Sequence, residues 1–393
     1  MPELLAKRVS NYELFFDLAF VLGISQLTSS IHLSHVGVQE IFSFIISNII
    51  LLNLWMTEVF YYNKYGDSRR IDIFSVIALM FVVGNLALMF VVGNLALTFD
   101  MNMAHLYAGH PTVVIFNWLL ILAYAIIALQ YFLKGRVLGF NRDIRFSIVA
   151  CAIYGISLLP FALGLLGANI WTVLIYLIPN IFPVLTRRYH DSSRINFPHA
   201  VERAQLVTIL TLGETVIAII STYPLTESLY QGALLFAGMS FMFISYMTQT
   251  FLAIDHHRQA AGSLLFYAHI PIFIGINIFT VGIEFLADSH HANLGFALFL
   301  FGFLSFYAGV VTTTHYNQSI YQLHLKTYLK IGLLLGIGAF IMSLVRHHIL
   351  LLSLVLCATT WAYNRYYLTV RRRKREYHNI PHPDPRKNLR DFS

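Results

Sequence analysis

Charged residues are scarce in this chain of 393 residues: Asp, Glu, Lys and Arg make up 11% of the sequence, whereas 57% of it is hydrophobic. The mean hydropathy is +0.66. An ordinary soluble domain carries about 25% charged residues, so this composition excludes one. The apolar residues lie in continuous runs rather than in the alternating pattern of a transmembrane β-barrel, which argues against a barrel.

Cysteine is nearly absent, and the common enzyme motifs are absent altogether. Cys151 and Cys357 both fall within apolar runs and form no metal-binding pattern. There is no Gly-rich nucleotide loop, zinc-protease motif or Gly-x-Ser-x-Gly element. We therefore expect no cofactor and no metal. The catalytic residues of an enzyme cannot be named from the sequence, and a protein without enzymatic activity is the favoured interpretation.

Long apolar runs occupy almost the whole chain. A hydrocarbon core of about 30 Å needs about 20 apolar residues per helix. The sequence therefore predicts an all-α, polytopic integral membrane protein with about 12 transmembrane helices in a single domain over residues 1–370. Two six-helix halves, 1–190 and 200–370, would accommodate them. The predicted spans are 12–31, 39–63, 71–99, 111–133, 144–166, 168–186, 203–222, 229–252, 264–287, 293–313, 327–345 and 348–369.

Basic residues indicate the orientation. With 12 spans, 25 of the 26 lysines and arginines fall on one side of the membrane and Arg346 alone falls on the other. Because basic loops are retained in the cytoplasm, we predict a multi-pass protein of the cell membrane with both termini cytoplasmic. The net charge of +7 reflects this bias, so no nucleic-acid partner is expected. Trp55, Tyr61 and Tyr62 are expected to form an interfacial aromatic belt.

A basic segment follows the last span. Residues 371–393 have few apolar side chains to bury, so a disordered cytoplasmic tail is expected. An ordinary topology anchor is the simpler interpretation of its charges. They would also lie against anionic lipid headgroups, with about 1 kcal/mol of attraction per charge. The residues concerned are Arg371, Arg372, Arg373, Lys374 and Arg375.

A glycine motif and a tandem repeat both bear on helix packing. Gly332 and Gly336 form a GxxxG pattern, which permits a close helix crossing. Packing inside the molecule is the favoured interpretation, and a homo-oligomer stays open. The sequence MFVVGNLAL occurs at 80–88 and again at 89–97. Without one copy the third span would have a natural length of about 20 residues, so we expect one copy to be structurally redundant.

Ionisable residues within the spans are the candidates for function, because a central charge costs about 2.5–3.5 kcal/mol on the insertion scale. Glu214 is expected near the bilayer midplane and is the strongest candidate, although a protonated structural glutamate is the alternative. Asp17, with Glu58 or His269, would complete a buried cluster that binds a cation or a proton. The candidate substrate- or ion-binding residues are Glu13, Asp17, Glu58, Glu202, Glu214, His269 and Glu284.

Three segments carry a family resemblance: ELFFDLAFVLGISQLT at 13–28, VERAQLVTILTLGETVIAI at 201–219 and FYAHIPIFIGINIFTVGIE at 266–284. In order and spacing they resemble the bacterial low temperature requirement protein A family, and the similarity extends across most of the chain. The resemblance implies a polytopic membrane protein named for a link to growth in the cold. It implies no defined substrate or reaction.

Three classes of function stay open. The leading one is a secondary transporter, or an ion- or proton-coupled membrane protein, of unknown substrate. The alternatives are a membrane enzyme acting on a lipid-linked substrate, with Glu58 and His269 as acid and base, and a non-catalytic scaffold or sensor. Acids around a cavity would favour transport, acids and His269 in one pocket would favour an enzyme, and separately paired acids would favour a scaffold.

Overall fold

The fold is given by a computed structural model that describes residues 7–32, 36–67, 69–92, 109–167 and 171–381. Within these ranges the chain forms α-helices joined by short loops and 3-10 turns, without a β-strand. The all-α, polytopic prediction is confirmed.

The helices are numbered here in chain order. They are α1 (Asn11–Ser30), α2 (Val38–Tyr65), α3 (Arg70–Val92), α4 (Pro111–Leu138), α5 (Arg142–Ser157), α6 (Leu159–Ala162), α7 (Val173–Tyr176), α8 (Ile178–Leu185), α9 (Phe197–Thr222), α10 (Leu225–Thr250), α11 (Ser263–Ala287), α12 (Ala292–Thr313), α13 (Leu325–Leu344) and α14 (Ile349–Tyr377). Some described connections between the longer helices are short, as between α9 and α10, whereas longer loops precede α9, α11 and α13.

Nine helical segments within the described ranges are long and apolar enough to cross a membrane. They comprise α2, α3, α4, α5 with α6, and each helix from α9 to α13. The helices α1 and α14 are also long, with 20 and 29 residues, but are not among the nine. Together these eleven segments correspond to all but one of the predicted spans.

The prediction of a continuous sixth span over 168–186 is wrong. Residues 168–170 lie outside the described ranges, and the rest forms two short helices, α7 and α8. Pro179 lies in the first turn of α8 and Pro183 lies inside it. Each proline removes a backbone donor and clashes with the preceding turn, so this apolar segment does not form one long helix.

The expected tail is also corrected at its start, because α14 continues to Tyr377. Arg371 is buried rather than lipid-facing: its guanidinium donates to the carbonyl oxygens of Thr248 at 3.0 Å and Leu252 at 2.9 Å. It thereby satisfies carbonyls at the C-terminal end of α10. Contact with anionic headgroups stays a prediction for the other four basic residues, and 382–393 lie outside the described residues.

The close helix crossing occurs at α11 and α12 rather than at the predicted GxxxG pattern. A Cβ atom added to Gly302 would lie 2.5 Å from the backbone nitrogen of Phe279 and 2.6 Å from the carbonyl oxygen of Gly275. By contrast, a Cβ atom at Gly332 or Gly336 would meet nothing within 4 Å. The prediction that these two glycines pack inside the molecule is therefore wrong, and their side of α13 is open.

Two hydrophobic clusters form the core. The larger one is built mainly from α1 to α5, and the other mainly from α10 to α14. The helices α9 and α11 contribute to both clusters, and α1 packs against α2, α3 and α9. This arrangement brings the N-terminal helix of the chain against α9, where the polar groups described next meet.

Candidate functional site

The centre of the site is an arginine held between two carboxylates. Arg203 on α9 donates through Nη1 to Oε2 of Glu13 and through Nη2 to Oδ1 of Asp17, both at 2.7 Å. Each of the three residues is at most 1% exposed. Glu13 and Asp17 are four residues apart, so they lie on the same face of α1 and can share one guanidinium.

The start of α1 fixes the position of Glu13. Ser10 is the N-cap, and its hydroxyl accepts from the Glu13 backbone N–H at 3.3 Å and donates to the Glu13 carboxylate at 3.0 Å. This is a capping box, which satisfies donors that the first helical turn would otherwise leave free. The same carboxylate thus caps the helix with Oε1 and binds Arg203 with Oε2.

His199 adds a second contact to Glu13, and its protonation follows from its neighbours. Asn63 exchanges hydrogen bonds with the backbone of Asn196, at 2.8 and 3.0 Å, which fixes the orientation of its amide. Its Nδ2 therefore donates to Nδ1 of His199, 3.0 Å away. The proton of His199 is left on Nε2, which donates to Oε2 of Glu13 at 2.8 Å, so the imidazole is neutral.

The groups joined by hydrogen bonds carry an excess of negative charge, since the ammonium of Lys7, which also acts on Glu13, is bound by the carbonyl oxygens of Tyr62 and Gly66 instead. The two carboxylates face one guanidinium and a neutral imidazole, while Nε1 of Trp55 donates to Oδ1 of Asp17 at 2.8 Å. Oδ2 of Asp17 and Nε of Arg203 are closed to solvent and have no hydrogen-bond partner among the described residues. A buried charge without full compensation is costly. A proton or a small cation at Asp17 would neutralise the site, so chemically this arrangement can bind either.

The predicted cluster around Glu214 is not formed. Glu214 lies on α9, about 16 Å beyond Arg203 along the helix axis, is half-buried, and makes no hydrogen bond or ion pair with the described residues. Glu202 is exposed beside Arg203. Of the predicted candidates, the structure brings together Glu13 and Asp17.

The remaining candidates make separate contacts. Glu58 on α2 accepts from Nε2 of Gln130 at 2.9 Å. His269 on α11 contacts the hydroxyl of Tyr246 at 2.8 Å. Glu284 lies 3.1 Å from Nε2 of His32 at the far end of α11. Glu58 and His269 therefore do not meet as the acid and base pair that an enzyme would use.

Sequence reasoning misassigned several residues of the site. It did not identify Arg203 as the partner of Glu13 and Asp17, and it placed Trp55, Tyr61 and Tyr62 in an interfacial belt. All four are at most 1% exposed, and the belt prediction is wrong for the three aromatic residues. The tyrosine hydroxyls donate to Asp72, at 2.6 Å each. A usable signal was the spacing, because a histidine and an arginine four residues apart on α9 match two acids four residues apart on α1.

Metal binding finds no support in the described ranges, where no three His, Cys, Asp or Glu side chains are grouped to hold an ion.

The fold and the site define a polytopic helical membrane protein with a buried charge cluster between α1 and α9. The chain belongs to the bacterial low temperature requirement A protein family, whose model matches residues 8–363 and so includes every member of the cluster. The predicted resemblance is confirmed. Among curated proteins no match was found.

Proposed function

We propose that this protein is a proton-coupled secondary transporter in which Glu13, Asp17 and Arg203 bind and release the coupling proton. The observation that supports the proposal is the charge balance of a site closed to solvent. Two carboxylates share one guanidinium, and one carboxylate oxygen of Asp17 has no donor within the described ranges. A single proton on Asp17 balances the charges of Glu13, Asp17 and Arg203.

The position of the site offers a route from proton binding to movement. Glu13 and Asp17 belong to the first of the two predicted halves, and Arg203 belongs to the second. In transporters built from repeats, coupling ions bind at the interface between them. A neutral Asp17 attracts Arg203 less strongly than the carboxylate does, so protonation would weaken the contact between α1 and α9 and permit one half to move against the other.

Proton uptake by reconstituted vesicles tests the proposal. The purified protein would be placed in liposomes that contain a pH-sensitive dye, and a potassium diffusion potential, negative inside, would be imposed with valinomycin. We expect the wild-type protein to acidify the interior faster than empty liposomes do. Asp17→Asn keeps the shape of the side chain but cannot titrate, so this variant should lose the additional uptake.

Two further variants show whether a loss of uptake is specific to Asp17. Glu227→Gln alters an exposed carboxylate at the start of α10 and should leave uptake unchanged. Glu214→Gln asks whether the residue favoured from sequence titrates instead. Full uptake by folded Asp17→Asn, or no uptake by the wild type above empty liposomes, would contradict the proposal. Loss of uptake in Glu214→Gln alone would move the proton site to Glu214.

A non-transporting scaffold is the second candidate. The observation that favours it is the distribution of the other polar groups, since Glu58, His269 and Glu284 each have a separate partner on a neighbouring helix or loop. In a scaffold the cluster would serve to hold α1 against α9. Asp17→Asn would then leave every proton flux at the level of empty liposomes, as in the wild type, and would change only the stability.

A further inference from the structure

A second buried carboxyl lies among α2, α3 and α4, outside the cluster of Arg203. Glu58 is 0% exposed. Nε2 of Gln130 donates to Oε1 of Glu58 at 2.9 Å and to Oγ of Ser75 at 3.0 Å. The other oxygen of each partner, Oε2 of Glu58 and Oε1 of Gln130, is closed to solvent and has no hydrogen-bond partner in the part of the chain that the structure describes.

These two free acceptors belong to a carboxyl and an amide that already face each other. A carboxylate would leave both of them without a donor, and a buried acceptor without a donor is destabilising. One proton on Oε2 of Glu58 supplies the missing donor. The neutral acid can then give its O–H to Oε1 of Gln130 while it accepts from Nε2, which forms the paired hydrogen bonds of an acid and an amide.

We propose that Glu58 is a proton-binding site, held as a neutral acid by Gln130, and that protons reach it along a column of polar side chains on α2, α3 and α4. On loading, hydronium at the protein surface gives up a proton and the Glu58 carboxylate becomes a carboxylic acid. Unloading is the reverse, so no other reactant is consumed.

The column is formed by polar side chains that lie about one helical turn apart on each of the three helices. Tyr61 lies three residues beyond Glu58 on α2, and its hydroxyl donates to Oδ1 of Asp72 at 2.6 Å. On α3, Oγ of Ser75 donates to the backbone oxygen of Asp72 at 3.0 Å. On α4, Lys134 lies four residues beyond Gln130, and its Nζ is 4.0 Å from Oδ2 of Asp72. All three helices thus continue the polar path in the same direction.

The column ends at Asp67, in the loop between α2 and α3. Its carboxylate lies 2.9 Å from Nζ of Lys134, and its side chain is 36% exposed. Burial acts to raise the pKa of Asp67, but hydrogen bonds with Asp72 and Lys134 outweigh it and lower the pKa to about 2. The mouth of the column is therefore an ionised carboxylate in contact with water, which attracts protons.

The largest charges that act on Glu58 are those of Arg203, Asp72 and Glu13. Glu13 and Asp17 share Arg203, and Lys134 pairs with Asp67 and Asp72, so Glu58 has no ion pair within the described residues. This leaves the proton as the means of neutralising the buried carboxyl. The inference rests on these contacts rather than on transport, and it can hold or fail separately from the proposed role of Asp17.

Infrared spectroscopy detects the proton directly, because the carbonyl stretch of a carboxylic acid lies apart from that of a carboxylate. Wild-type protein at neutral pH should show a carboxylic-acid band that Glu58→Gln removes. The exposed Glu227→Gln should retain the band. Absence at neutral pH of a band that depends on Glu58 would overturn the first part of the proposal.

A swap variant protects this test against misfolding. In Glu58→Gln with Gln130→Glu, the acid and the amide exchange helices and the pair can form again. We expect the double variant to fold and to regain the carboxylic-acid band that Glu58→Gln lacks. A folded double variant without the band would show that the surroundings do not hold a neutral acid, and it would count against the proposal.

Deuterium exchange tests the column. When the protein is moved into heavy water, the band of Glu58 shifts as its proton is replaced. The shift should be severalfold slower in Tyr61→Phe and in Asp72→Asn than in the wild type. Tyr176→Phe is the matched control, since that buried hydroxyl donates to Asn117 at 2.8 Å and not to the column. Equal rates in all four proteins would overturn the proposed path.

Discussion

Arg203 holds two carboxylates at once because its guanidinium presents separate N–H groups to each of them. Lysine has a single ammonium group on a flexible stem and cannot reproduce this fork. The geometry on α9 also places His199 one turn before Arg203, so that both contact Glu13. At the residue scale, the site is therefore defined by one planar cation rather than by the carboxylates that the sequence made conspicuous.

Removing that cation should be strongly destabilising. Arg203→Gln leaves Glu13 and Asp17 buried with neutral partners only, and breaking a buried ion pair in this way costs about 3–5 kcal/mol. Thermal unfolding of detergent-purified protein should show a clearly lower midpoint for Arg203→Gln. The matched control is Arg136→Gln, which alters an exposed arginine at the end of α4. Similar midpoints for the two variants would contradict the assigned role.

His32 gives a pH-dependent prediction at the opposite end of the molecule. The Glu284 carboxylate, 3.1 Å away, raises the pKa of His32 above its ordinary 6.5, against the effect of partial burial. Because the pKa is raised by folding, the stabilisation is fully present below about pH 6.5 and is lost as pH rises through the folded-state pKa.

The measurement compares the unfolding midpoints of the wild type and His32→Gln across pH. We expect the wild type to be the more stable at acidic pH and the difference to shrink as the solution becomes alkaline. His257→Gln, at an exposed loop position, should follow the wild type throughout. A difference that grows with pH would mean that the neutral imidazole is the stabilising form.

At the scale of helices, glycine matters where two backbones meet. Gly302→Ala would force its Cβ against the backbone of Phe279, which cannot move without separating α11 from α12. Overpacking of this kind costs about 1–3 kcal/mol. Gly336→Ala on α13 meets open space and should be neutral or slightly stabilising, since alanine favours helix formation. Unfolding midpoints of the two variants should differ in this order, and equal losses would contradict the packing.

The tandem repeat gives a second prediction about a single helix. The first copy, 80–88, lies within α3, whereas 93–97 of the second copy lies outside the described residues. Among the described side chains of α3, which end at Met89, the most completely buried are Val76, Leu79, Val82, Val83, Leu86 and Ala87. Asn85 donates to the carbonyl of Phe81 within the same helix, at 2.8 Å, so it needs no partner elsewhere.

Deletion of 89–97 should therefore leave a folded protein. Membrane fractions should contain the shortened chain at the wild-type level, and size-exclusion chromatography should give one symmetric peak. A matched deletion of 80–88 leaves the same sequence and must give the same result, which checks the procedure. Aggregation of the shortened protein would mean that the additional turns are needed for packing.

At the scale of the whole molecule, the asymmetry of basic residues predicts the orientation in the membrane. Single cysteines introduced into a protein without Cys151 and Cys357 would be labelled with an impermeant reagent in intact cells. Positions 227 and 347 are exposed and should react, whereas positions 142 and 194, also exposed, should react only after permeabilisation. Labelling at 142 or 194 in intact cells would contradict the predicted orientation.

The sequence by itself determined the class of the molecule and most of its helices. A helix in lipid must satisfy its backbone internally, so length and apolarity suffice to locate it, and eleven predicted spans correspond to described helices or helical segments. Apolar composition did not predict the structure where proline interrupts the helix. Pro179 and Pro183 break the sixth span although most of its residues are apolar.

Tertiary structure alone decided which polar groups meet. Spacing placed Glu13 and Asp17 on one face of α1, but it could not bring Arg203, 190 positions from Glu13, into contact with both. A charged residue inside an apolar helix indicates that a partner is required, but it does not identify that partner. The partner is chosen by the packing of α1 against α9, and the same packing leaves Glu214 without one among the described residues. The reason is physical: helix formation depends on local backbone bonds, whereas charge pairing depends on contacts between distant segments.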